Sequence, residues 1–524
     1  MFIVLSGLLS AADVTHPNLY LDKKDLVRIR DNIKKYPWAK KIFDALKKEA
    51  DTRQTDHRKN LRRCTLAALV YAITKDKKYA NIARGRITAM SNHWNSPQKH
   101  FQWDIGGEAA MVYDLIYDAL SEADHKRFDS EIKKGARHAI KYMEAARQTV
   151  NMYFLAHTEV GLMGFVTGDE ELIEWAMNDK KGGSFEHVGH IQYGGYEQIM
   201  TNNYHDNVWH EPNGYGYYIV LPRLIALSEA ASRYYKKDYW RKKSANGQSL
   251  KGIFDAILDR LYPAENFGKG LSLRMNSFGD TGTQFNAKTS DWGHNEDFFA
   301  VNSPGSTAGG LKGFELGHLF EYAYGRSKDP AYAWLIMQNP SRNWVNKHAA
   351  YFHLYGYSAL SHGGHIDVSN VKAPHAKSRL FQNASFAILR ADESPSYWTG
   401  KGLTANLMLG AFRSHRNCDE YSMALHAKGR MIYPDIDVMQ YENDKKWGWT
   451  HRTIAHNSLT VDGANMRRAK YNTRHLFNDA VKIVAVDGGP YQKKAEYRNA
   501  KIGDPSYPKN VHLGRGLFLT KEYL

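Results

Sequence analysis

The spacing of hydrophobic positions changes along the chain. Between Lys23 and about Trp240, apolar residues recur at i, i+3, i+4 and i+7, which predicts amphipathic helices. Segments such as "KKDLVRIRDNIKKYPWAKKIFDALKKEA" and "RRCTLAALVYAITKDKKYANIARGRITAM" show this pattern, and short polar turns such as "TKDKK" separate successive helices. Paired helices in series are typical of a helical toroid or solenoid, although no repeat of fixed length is visible.

From about Ser378 the hydrophobic period becomes two. "SFAILRA", "YSMALHAKGRMIYP" and "AVKIVAVDGG" alternate and are separated by turn residues, which predicts an antiparallel sheet. The sequence stops at "GRGLFLTKEYL", inside another predicted strand, and an unpaired edge there leads us to expect a longer protein. The predicted fold class is therefore α+β and multidomain, with helices first and strands second.

Size, composition and charge narrow the class of partner. At 524 residues the chain exceeds what one core usually supports, and its 43% hydrophobic content is that of globular proteins. The 33 Tyr and 12 Trp residues suit packed cores and also stacking on sugar rings. A net charge of +16 favours either simple solubility or an anionic partner. Because no dense Lys/Arg block or nucleic-acid motif is present, an acidic polymer is the better functional interpretation.

The N-terminus and the cysteines give two further expectations. "MFIVLSGLLSAADVTHP" has a short apolar run and a small-residue end without a basic start, so we expect residues 1–12 to be a clipped signal peptide of a secreted or periplasmic protein. Cys64 and Cys418 lie far apart, and they form neither a zinc spacing nor a disulfide framework. No other stretch approaches the roughly 20 apolar residues of a membrane span.

A first group of candidate functional residues precedes a predicted helix in "HDNVWHEPNGYGYYIVLPRL". Its titratable members are His205, Asp206, His210, Glu211, Tyr215, Tyr217 and Tyr218. Turn formers follow Glu211, so the group lies at a helix N-terminus, where a partial positive charge favours anions. The structural alternative is an aromatic plug that closes a helix bundle.

Asn151 and His157 form a second group in "NMYFLAHTEVG". Asn151 stands at the start of the predicted helix, where Asn is also a good N-cap. His157 follows on the same helix, and a lone histidine there is ordinarily a hydrogen-bonded core residue. Both residues therefore have a structural explanation as well as a functional one.

A third group lies in "FRSHRNCDEYSMALHAKGRMIYPD". His415, Asn417 and Asp419 occupy every second position, so in a strand they share one face. Together with Asp435 and His456, they offer nitrogen and oxygen donors that would suit a divalent metal such as zinc. The alternative is a polar hydrogen-bond network that holds one strand to the next.

Arg413 and Arg452 add positive charge beside this third group. A sheet face with two histidines and two arginines, next to a basic helical domain, would form a suitable wall for an anionic cleft.

Four segments together resemble the heparinase II/III-like polysaccharide lyases, a group that includes heparin, chondroitin/hyaluronan and alginate lyases. These segments are "WDIGGEAAMVYDLIYDAL", "DNVWHEPNGYGYY", "HRNCDEYSMALHAKGRMIYPD" and "AHNSLTVDG", and the last two are the most specific. The likeness covers nearly the whole chain, from "HPNLYLDKKDLVRIRDNIKKYPWA" onward. It implies an (α/α) toroid over residues 13–375 and an antiparallel β-sandwich, incomplete in this sequence, over residues 376–524. The active site would lie in the cleft between them.

The resemblance also assigns roles to residues. Those that match the family's catalytic positions are Asn151, Tyr215 and His415. Tyr215 is preferred over Tyr217 because it fits a Glu-x-x-x-Tyr-x-x-Tyr pattern, with Tyr217 as the reserve. The expected substrate-binding residues are His210, Glu211, Tyr217, Tyr218 and Arg413.

A metal site is a further implication of the resemblance. Asn417, Asp435 and His456 match its positions and would hold one structural divalent ion such as zinc, with no organic cofactor. Asn417 stands where the family usually has His, which weakens the expected affinity for zinc. Met152 follows Asn151 at a position where some members of the family have a second His. The resemblance therefore does not assign this chain to one mechanistic subtype of the family.

The predicted function is cleavage of a uronic-acid-containing polysaccharide, glycosaminoglycan or alginate-like, by β-elimination. The partner would be an acidic polysaccharide, with no nucleic acid and no membrane span. One alternative is an (α/α)-barrel glycoside hydrolase, which needs two carboxylates about 5–9.5 Å apart, for which Asp206 and Glu211 are candidates. The other is a non-catalytic protein that binds acidic polysaccharides.

Overall fold

A computed structural model describes the protein over most of the chain. The described residues are 14–95, 105–145, 150–179, 184–185, 191–192, 194–212, 214–263, 265–266, 271–273, 275, 278, 316–338, 342, 344, 352–399, 402–410, 417–433, 435, 452–460, 465, 471–488 and 512–522. Within these ranges, helices occupy the first part of the chain and the longer strands the last part. The α+β fold class predicted from the change of period is confirmed.

Thirteen α-helices are formed by the described residues. They are α1 Lys23–Lys35, α2 Pro37–Asp51, α3 His57–Thr74, α4 Lys77–Asn95, α5 Ile105–Ile116, α6 Glu122–Ala145, α7 Val150–Thr167, α8 Glu170–Asn178, α9 Tyr196–Asn202, α10 Leu221–Tyr235, α11 Leu250–Asp259, α12 Gly317–Ser327 and α13 Pro330–Met337. Local chemistry sets where they begin. In α1, Asp22 and Asp25 accept hydrogen bonds from each other's backbone N–H, and Leu26 and Ile29 are buried.

The inner helices close into a ring. Successive neighbours around it are α3, α5, α7, α10 and α12, followed by the turns 353–363, which pack against both α12 and α3. Helices α10 and α12 are joined by a hydrogen bond of 2.6 Å, which the Tyr322 hydroxyl donates to the carboxylate of Glu229. Helices such as α4 and α6 pack on the outside of this ring. The helical part is therefore an (α/α) toroid, as expected.

Helices α7 and α10 run parallel. Gly161 faces Leu227 so closely that a Cβ on the glycine would collide with the leucine side chain. One turn later Phe165 packs against Tyr234 and Tyr235, with ring centroids 5.3 and 6.1 Å away. Because contacts advance together along both helices, their N-terminal ends lie at the same end of the ring.

Fourteen strands are formed by the described residues, and all their pairings are antiparallel. They are β1 Ser184–Phe185, β2 Ile191–Gln192, β3 Tyr204–His205, β4 Val208–Trp209, β5 Glu265–Asn266, β6 Leu271–Ser272, β7 Arg379–Phe381, β8 Phe386–Arg390, β9 Thr404–Met408, β10 Met423–Ala427, β11 Arg430–Tyr433, β12 Tyr471–Phe477, β13 Lys482–Gly488 and β14 Leu513–Leu519. A five-stranded sheet has the order β11-β10-β9-β8-β7, and a three-stranded sheet has the order β12-β13-β14.

The five-stranded sheet packs on both of its faces. On one face, Leu389 and Leu407 meet Val484 and Leu517 of the three-stranded sheet. On the other face, residues such as Ile388 pack with side chains from the helical part of the chain, including Val208 and Ala256. Strands β8 and β9 are consequently buried at every position, and β8 carries the unbroken apolar run Phe386–Leu389 that is typical of a strand covered on both faces.

The sheet meets one end of the helical ring through specific hydrogen bonds. Tyr397 donates its hydroxyl hydrogen to the carbonyl of Leu261 at 2.8 Å, and the Arg390 guanidinium donates to the same carbonyl at 3.1 Å. Asn406 donates to the Tyr262 hydroxyl at 2.7 Å. These contacts hold the sheet against the residues that follow α11.

Among the described residues, no helix combines the length and the apolar character that crossing a membrane requires. Cys64 is buried and Cys418 is partly buried, and neither is part of a disulfide among the described residues.

Candidate functional site

A two-residue hairpin begins the candidate site. Strands β3 and β4 are joined by Asp206 and Asn207, whose φ angles are 50° and 61°. Both left-handed residues are required by the tight turn that suits a hairpin, and Asp and Asn tolerate that conformation best after glycine. Asn207 is held in addition by the backbone N–H of Ser249, which donates to its side-chain oxygen at 3.0 Å.

The same hairpin docks on the sheet through Asp206. Its carboxylate accepts hydrogen bonds from the backbone N–H of Asn383 at 2.7 Å, the Asn383 side-chain amide at 3.0 Å and the backbone N–H of Ala384 at 3.2 Å. Asn383 and Ala384 form the turn between β7 and β8. Asp206 therefore fixes the hairpin, and the loop that follows it, relative to the sheet.

The loop after β4 is organised around Trp209. The indole N–H donates to the carboxylate of Glu211 at 2.9 Å, and both side chains are buried. Gly216 packs directly on this tryptophan, because a Cβ at residue 216 would lie 2.7 Å from the Trp209 Cβ. The loop can therefore turn into the next helix only with glycine at this position.

A π-helical segment, Gly214–Val220, leads directly into α10 and carries the tyrosines. The wider π turn shifts side-chain directions relative to an α-helix, and such segments are frequent at functional sites. It packs against α7, so the start of α7 and the tyrosine segment lie at the same end of the ring. The sheet covers this end through Leu261 and Tyr262.

The two candidate tyrosines differ in environment. Tyr217 is only 1% exposed, and Arg260 donates a hydrogen bond to its hydroxyl at 2.6 Å. Burial raises the pKa of Tyr217, although the Arg260 charge acts in the opposite direction. Tyr215 is half-buried. Of these two hydroxyls, the one on Tyr215 is on the more accessible side chain.

The two polar residues that precede the tyrosines are buried. His210 is 4% exposed and packs against the Trp209 ring at a centroid distance of 4.6 Å, while Glu211 is 1% exposed. The backbone N–H of His210 donates to the carbonyl of Asn203 at 3.0 Å. Their assignment as substrate-binding residues stays a prediction.

Several expected site residues lie wholly or partly outside the described part of the chain. Asn151 is the second residue of α7, so its backbone lies at the same end of the ring as Tyr215, but its side chain is not described. The Tyr218 side chain is likewise not described, and Arg413 and His415 lie outside the described residues. Their roles stay predictions.

His157 has the structural environment expected of a core histidine. It is fully buried, stacks on Trp175 at a centroid distance of 3.9 Å, and contacts the Tyr153 carbonyl at 2.9 Å through Nδ1. The Asp179 carboxylate lies 3.4 Å from its other ring nitrogen.

Asp435 and His456 form a buried pair beside β10. His456 Nδ1 lies 2.9 Å from Asp435 Oδ1, and the Ser422 hydroxyl donates to the same oxygen at 3.3 Å. Asn417 is 1% exposed, and neither of its side-chain amide atoms has a hydrogen-bond partner among the described residues. The second carboxylate oxygen of Asp435, Oδ2, is also buried and has no hydrogen-bond partner among the described residues.

These three residues fit a metal ion only in part. Buried amide and carboxylate oxygens without partners are unusual and are the kind of donor that a bound ion or water satisfies. However, the described residues contain no group of three or more His, Cys, Asp or Glu side chains arranged to hold a metal. If an ion binds here, Asp435 and His456 would supply its charged and nitrogen ligands.

Two residues at the site were not identified from the sequence. Arg260 lies between Tyr217 and the sheet, with its guanidinium 4.5 Å from the Phe386 ring centroid. His426 is buried on β10 and stacks with Tyr262 at 5.8 Å. In the sequence, the signal for His426 is a single histidine in the otherwise apolar strand segment "MALHA". No local pattern marks Arg260.

Solved structures share this architecture. The heparan sulfate lyase HepC from Pedobacter heparinus aligns with a TM-score of 0.52 at 16% identity, over 90% of this chain and 62% of HepC. A HepC mutant aligns with a TM-score of 0.52 at 15% identity, over 98% of this chain and 77% of the mutant chain. Heparinase III aligns with a TM-score of 0.50 at 12% identity, over 100% of this chain and 72% of that chain.

The chain thus spans less than two thirds of the length of HepC in the first of these alignments. By sequence, no family model and no curated protein matches the chain. The structural likeness nevertheless extends through both the helical ring and the sheets, and the chain has the fold of the HepC and heparinase III structures.

Proposed function

We propose that the protein is a polysaccharide lyase that cleaves a uronic-acid-containing acidic polysaccharide by β-elimination. The observation that carries the proposal is the position of Tyr215. It is a half-buried tyrosine on a π-helical segment, at the end of the ring that the sheet covers, in a fold that is similar to structures of a heparan sulfate lyase and heparinase III.

The chemistry explains why such a cleft would need polar donors. A uronate C5 proton is hard to remove because the adjacent carboxylate already carries negative charge. A hydrogen bond from Asn151 to that carboxylate would stabilise the charge that develops, an effect of about 3 kcal/mol for one donor in comparable oxyanion sites. The parallel packing of α7 and α10 supports this role, because it brings the backbones of Asn151 and Tyr215 to one end of the ring.

Proton transfer completes the reaction. His415 or Tyr215 would take the C5 proton, according to the stereochemistry of the sugar. The C5–H electron pair forms the C4–C5 double bond, the C4–O4 bond breaks, and Tyr215 delivers a proton to O4. One product carries a 4,5-unsaturated uronate at its new non-reducing end. No water is consumed.

The burial of Tyr217 favours Tyr215 as the proton donor. The Tyr217 hydroxyl accepts a hydrogen bond from Arg260 inside the protein, and the rise in its pKa on burial disfavours ionisation. Arg260 also lies against Phe386, so Tyr217 serves to join the tyrosine segment to the sheet.

The hydrolase alternative has less support. It requires two carboxylates that face the substrate from opposite sides. Asp206 is engaged by three hydrogen bonds from the β7–β8 turn, and Glu211 is buried against Trp209. Both carboxylates thus have structural tasks.

Product analysis tests the proposal. The protein is incubated with heparan sulfate, chondroitin sulfate, hyaluronan and alginate, and both the ultraviolet absorbance of the unsaturated uronate and the number of new reducing ends are measured. We expect both signals to rise together on at least one polymer. New reducing ends without ultraviolet absorbance would indicate hydrolysis and refute the proposal, and binding without either signal would indicate a non-catalytic protein.

A further inference from the structure

A charged cavity lies at the opposite end of the ring from Tyr215. It has a volume of about 460 Å³ and is bordered by the ends of α10 and α12, the start of α1 and His362. Because α10 has 15 residues and rises 1.5 Å per residue, the cavity lies about 20 Å from the Tyr215 segment. It is therefore separate from the proposed catalytic cleft, and its size is that of a small-ligand site.

Positive charge exceeds negative charge around this cavity. The cationic side chains are Arg28, Arg233, Lys236, Lys237, Arg326 and Lys328. The carboxylates are Asp22, Asp25, Glu229 and Asp238. His362 is neutral at neutral pH, because burial lowers its pKa to about 4. The cavity therefore carries an excess of two positive charges.

The carboxylates deepest in the cavity are already paired. Asp25 lies 2.8 Å from Arg28 and 3.1 Å from Arg233. Glu229 lies 3.0 Å from Arg233 and 3.5 Å from Arg326. Burial acts to raise the pKa of Glu229, but the charges of Arg233 and Arg326 outweigh it and the pKa is lowered. These acids therefore hold the arginines in place, and the excess charge remains at the rim.

Lysines lie at the rim of the cavity, and two of them have a left-handed backbone conformation. Lys236 and Lys328 follow the last residues of α10 and α12, with φ angles of 53° and 54°. This left-handed position usually takes Gly or Asn, because a Cβ is unfavourable there. Lys236 and Lys237 are exposed, and both border the cavity. Their ammonium groups are available to an anion.

We propose that this cavity binds a carboxylate- or sulfate-bearing sugar unit. The inference rests on the proposed function, because the same acidic polysaccharide that enters the catalytic cleft would supply the sugar. The lysines contact the anionic group, and the cavity holds the ring. A second attachment point of this kind raises the apparent affinity for a long polymer without altering the chemical step.

A titration with small probes tests the site directly. Glucuronate, glucosamine 6-sulfate and inorganic sulfate are each titrated into the protein and into the double variant Lys236→Gln/Lys237→Gln. The matched control, Lys47→Gln/Lys48→Gln, removes two exposed lysines from α2. We expect at least one sugar to bind about fivefold more weakly to the Lys236/Lys237 variant and unchanged to the control.

Two outcomes would overturn the site. The first is that neither glucuronate nor glucosamine 6-sulfate binds saturably to the parent, or that the Lys236/Lys237 variant binds each sugar as tightly as the parent and the control do. The second is that inorganic sulfate binds as tightly as the sugars, which would indicate a simple anion site. Circular dichroism checks that each variant is folded, and the single variant Lys237→Gln provides a milder change if the double variant is not.

Kinetics separate this site from the proposed function. On a cleavable polymer, the Lys236/Lys237 variant should show a KM raised severalfold and an unchanged kcat, whereas on a tetrasaccharide both constants should match the parent. An unchanged KM on polymer would refute the second attachment point. If the parent cleaves no polymer while sugar binding depends on the lysines, the proposed function fails and the site remains.

Discussion

Glu108 is expected to be a major source of stability in the helical ring. It is 1% exposed on α5 and accepts hydrogen bonds from the His353 backbone N–H at 2.7 Å and from Thr65 at 3.2 Å. Arg86 lies 2.9 Å from the same carboxylate. Glu108 thus ties the turn at His353 to the inner helices, and we expect Glu108→Gln to loosen that tie.

The size of the effect follows from the pKa of Glu108. Burial acts to raise it, but the charges of His353 and Arg86 and the hydrogen bonds from His353 outweigh burial and lower the pKa from 4.5 to about 2. That difference corresponds to about 3 kcal/mol of stability at neutral pH. Removing one partner of a buried ion pair costs about 3–5 kcal/mol, which agrees. In the Glu108→Gln variant, the new amide N–H₂ group would also lie against the hydrogen-bond donors of His353 and Arg86, with which it cannot pair.

The dependence on pH has a definite sign. Because the pKa of Glu108 is lower in the folded state, its stabilisation is complete above about pH 4.5 and is lost as the pH falls toward 2. The difference between parent and Glu108→Gln should therefore shrink by about half between pH 7 and pH 3.

Scanning calorimetry at several pH values measures this difference. At pH 7 we expect the variant to melt about 3 °C below the parent, because a chain of 524 residues has a large entropy of unfolding. Adding Arg86→Met should recover part of the loss, because no buried charge is then left without its partner. Equal melting temperatures at pH 7, or a difference that stays constant down to pH 3, would refute this account of Glu108.

The sheet contact, the surplus charge and the Asp435–His456 pair each give a further prediction. Asp206→Asn keeps a residue that tolerates the left-handed turn but weakens three hydrogen bonds, so we expect a loss of about 1–2 kcal/mol in thermal melts; a loss no larger than that of the exposed control Asp44→Asn would contradict it. Catalytic efficiency should fall roughly tenfold between low and high salt because a chain of charge +16 attracts a polyanion; a flat profile would show that this charge serves solubility. Chelation should lower the melting temperature if an ion links Asp435 and His456, and metal analysis that finds no ion, with unchanged melting, would remove the site.

Periodicity was sufficient for the order of the elements, with helices first and strands second, whereas the choice of a toroid and a sandwich came from the family resemblance. The 3.6-residue pattern identified helices such as α1 and α3, and the alternating pattern identified β10 and β13, because each pattern records which side of an element faces a core. The double burial of β8 and β9 could not be predicted in the same way. It depends on the helical part packing against the second face of the sheet, and its sign in the sequence is the unbroken apolar run Phe386–Leu389 of β8, which a search for alternation overlooks.

The candidate site was predictable only as a group of residues. The sequence placed Tyr215 and Tyr217 in one loop but could not show which is buried, because that is decided by Arg260, 43 positions away. Asp206 was a candidate for acid chemistry from its neighbours alone. Its hydrogen-bond partner Asn383 is 177 positions away, and only the three-dimensional structure reveals that Asp206 joins the hairpin to the sheet.

Replacement of the two tyrosines, one at a time, tests the central claim most directly. Tyr215→Phe removes one hydroxyl and keeps the ring, so the fold and polymer binding should survive. If that hydroxyl delivers the proton to O4, kcat should fall by about 100-fold to 10,000-fold. Tyr217→Phe should instead lose about 1.5–3 kcal/mol of stability with its Arg260 hydrogen bond and, while folded, retain activity. Full activity of Tyr215→Phe on a polymer that the parent cleaves would contradict the account, as would inactivation by Tyr217→Phe alone.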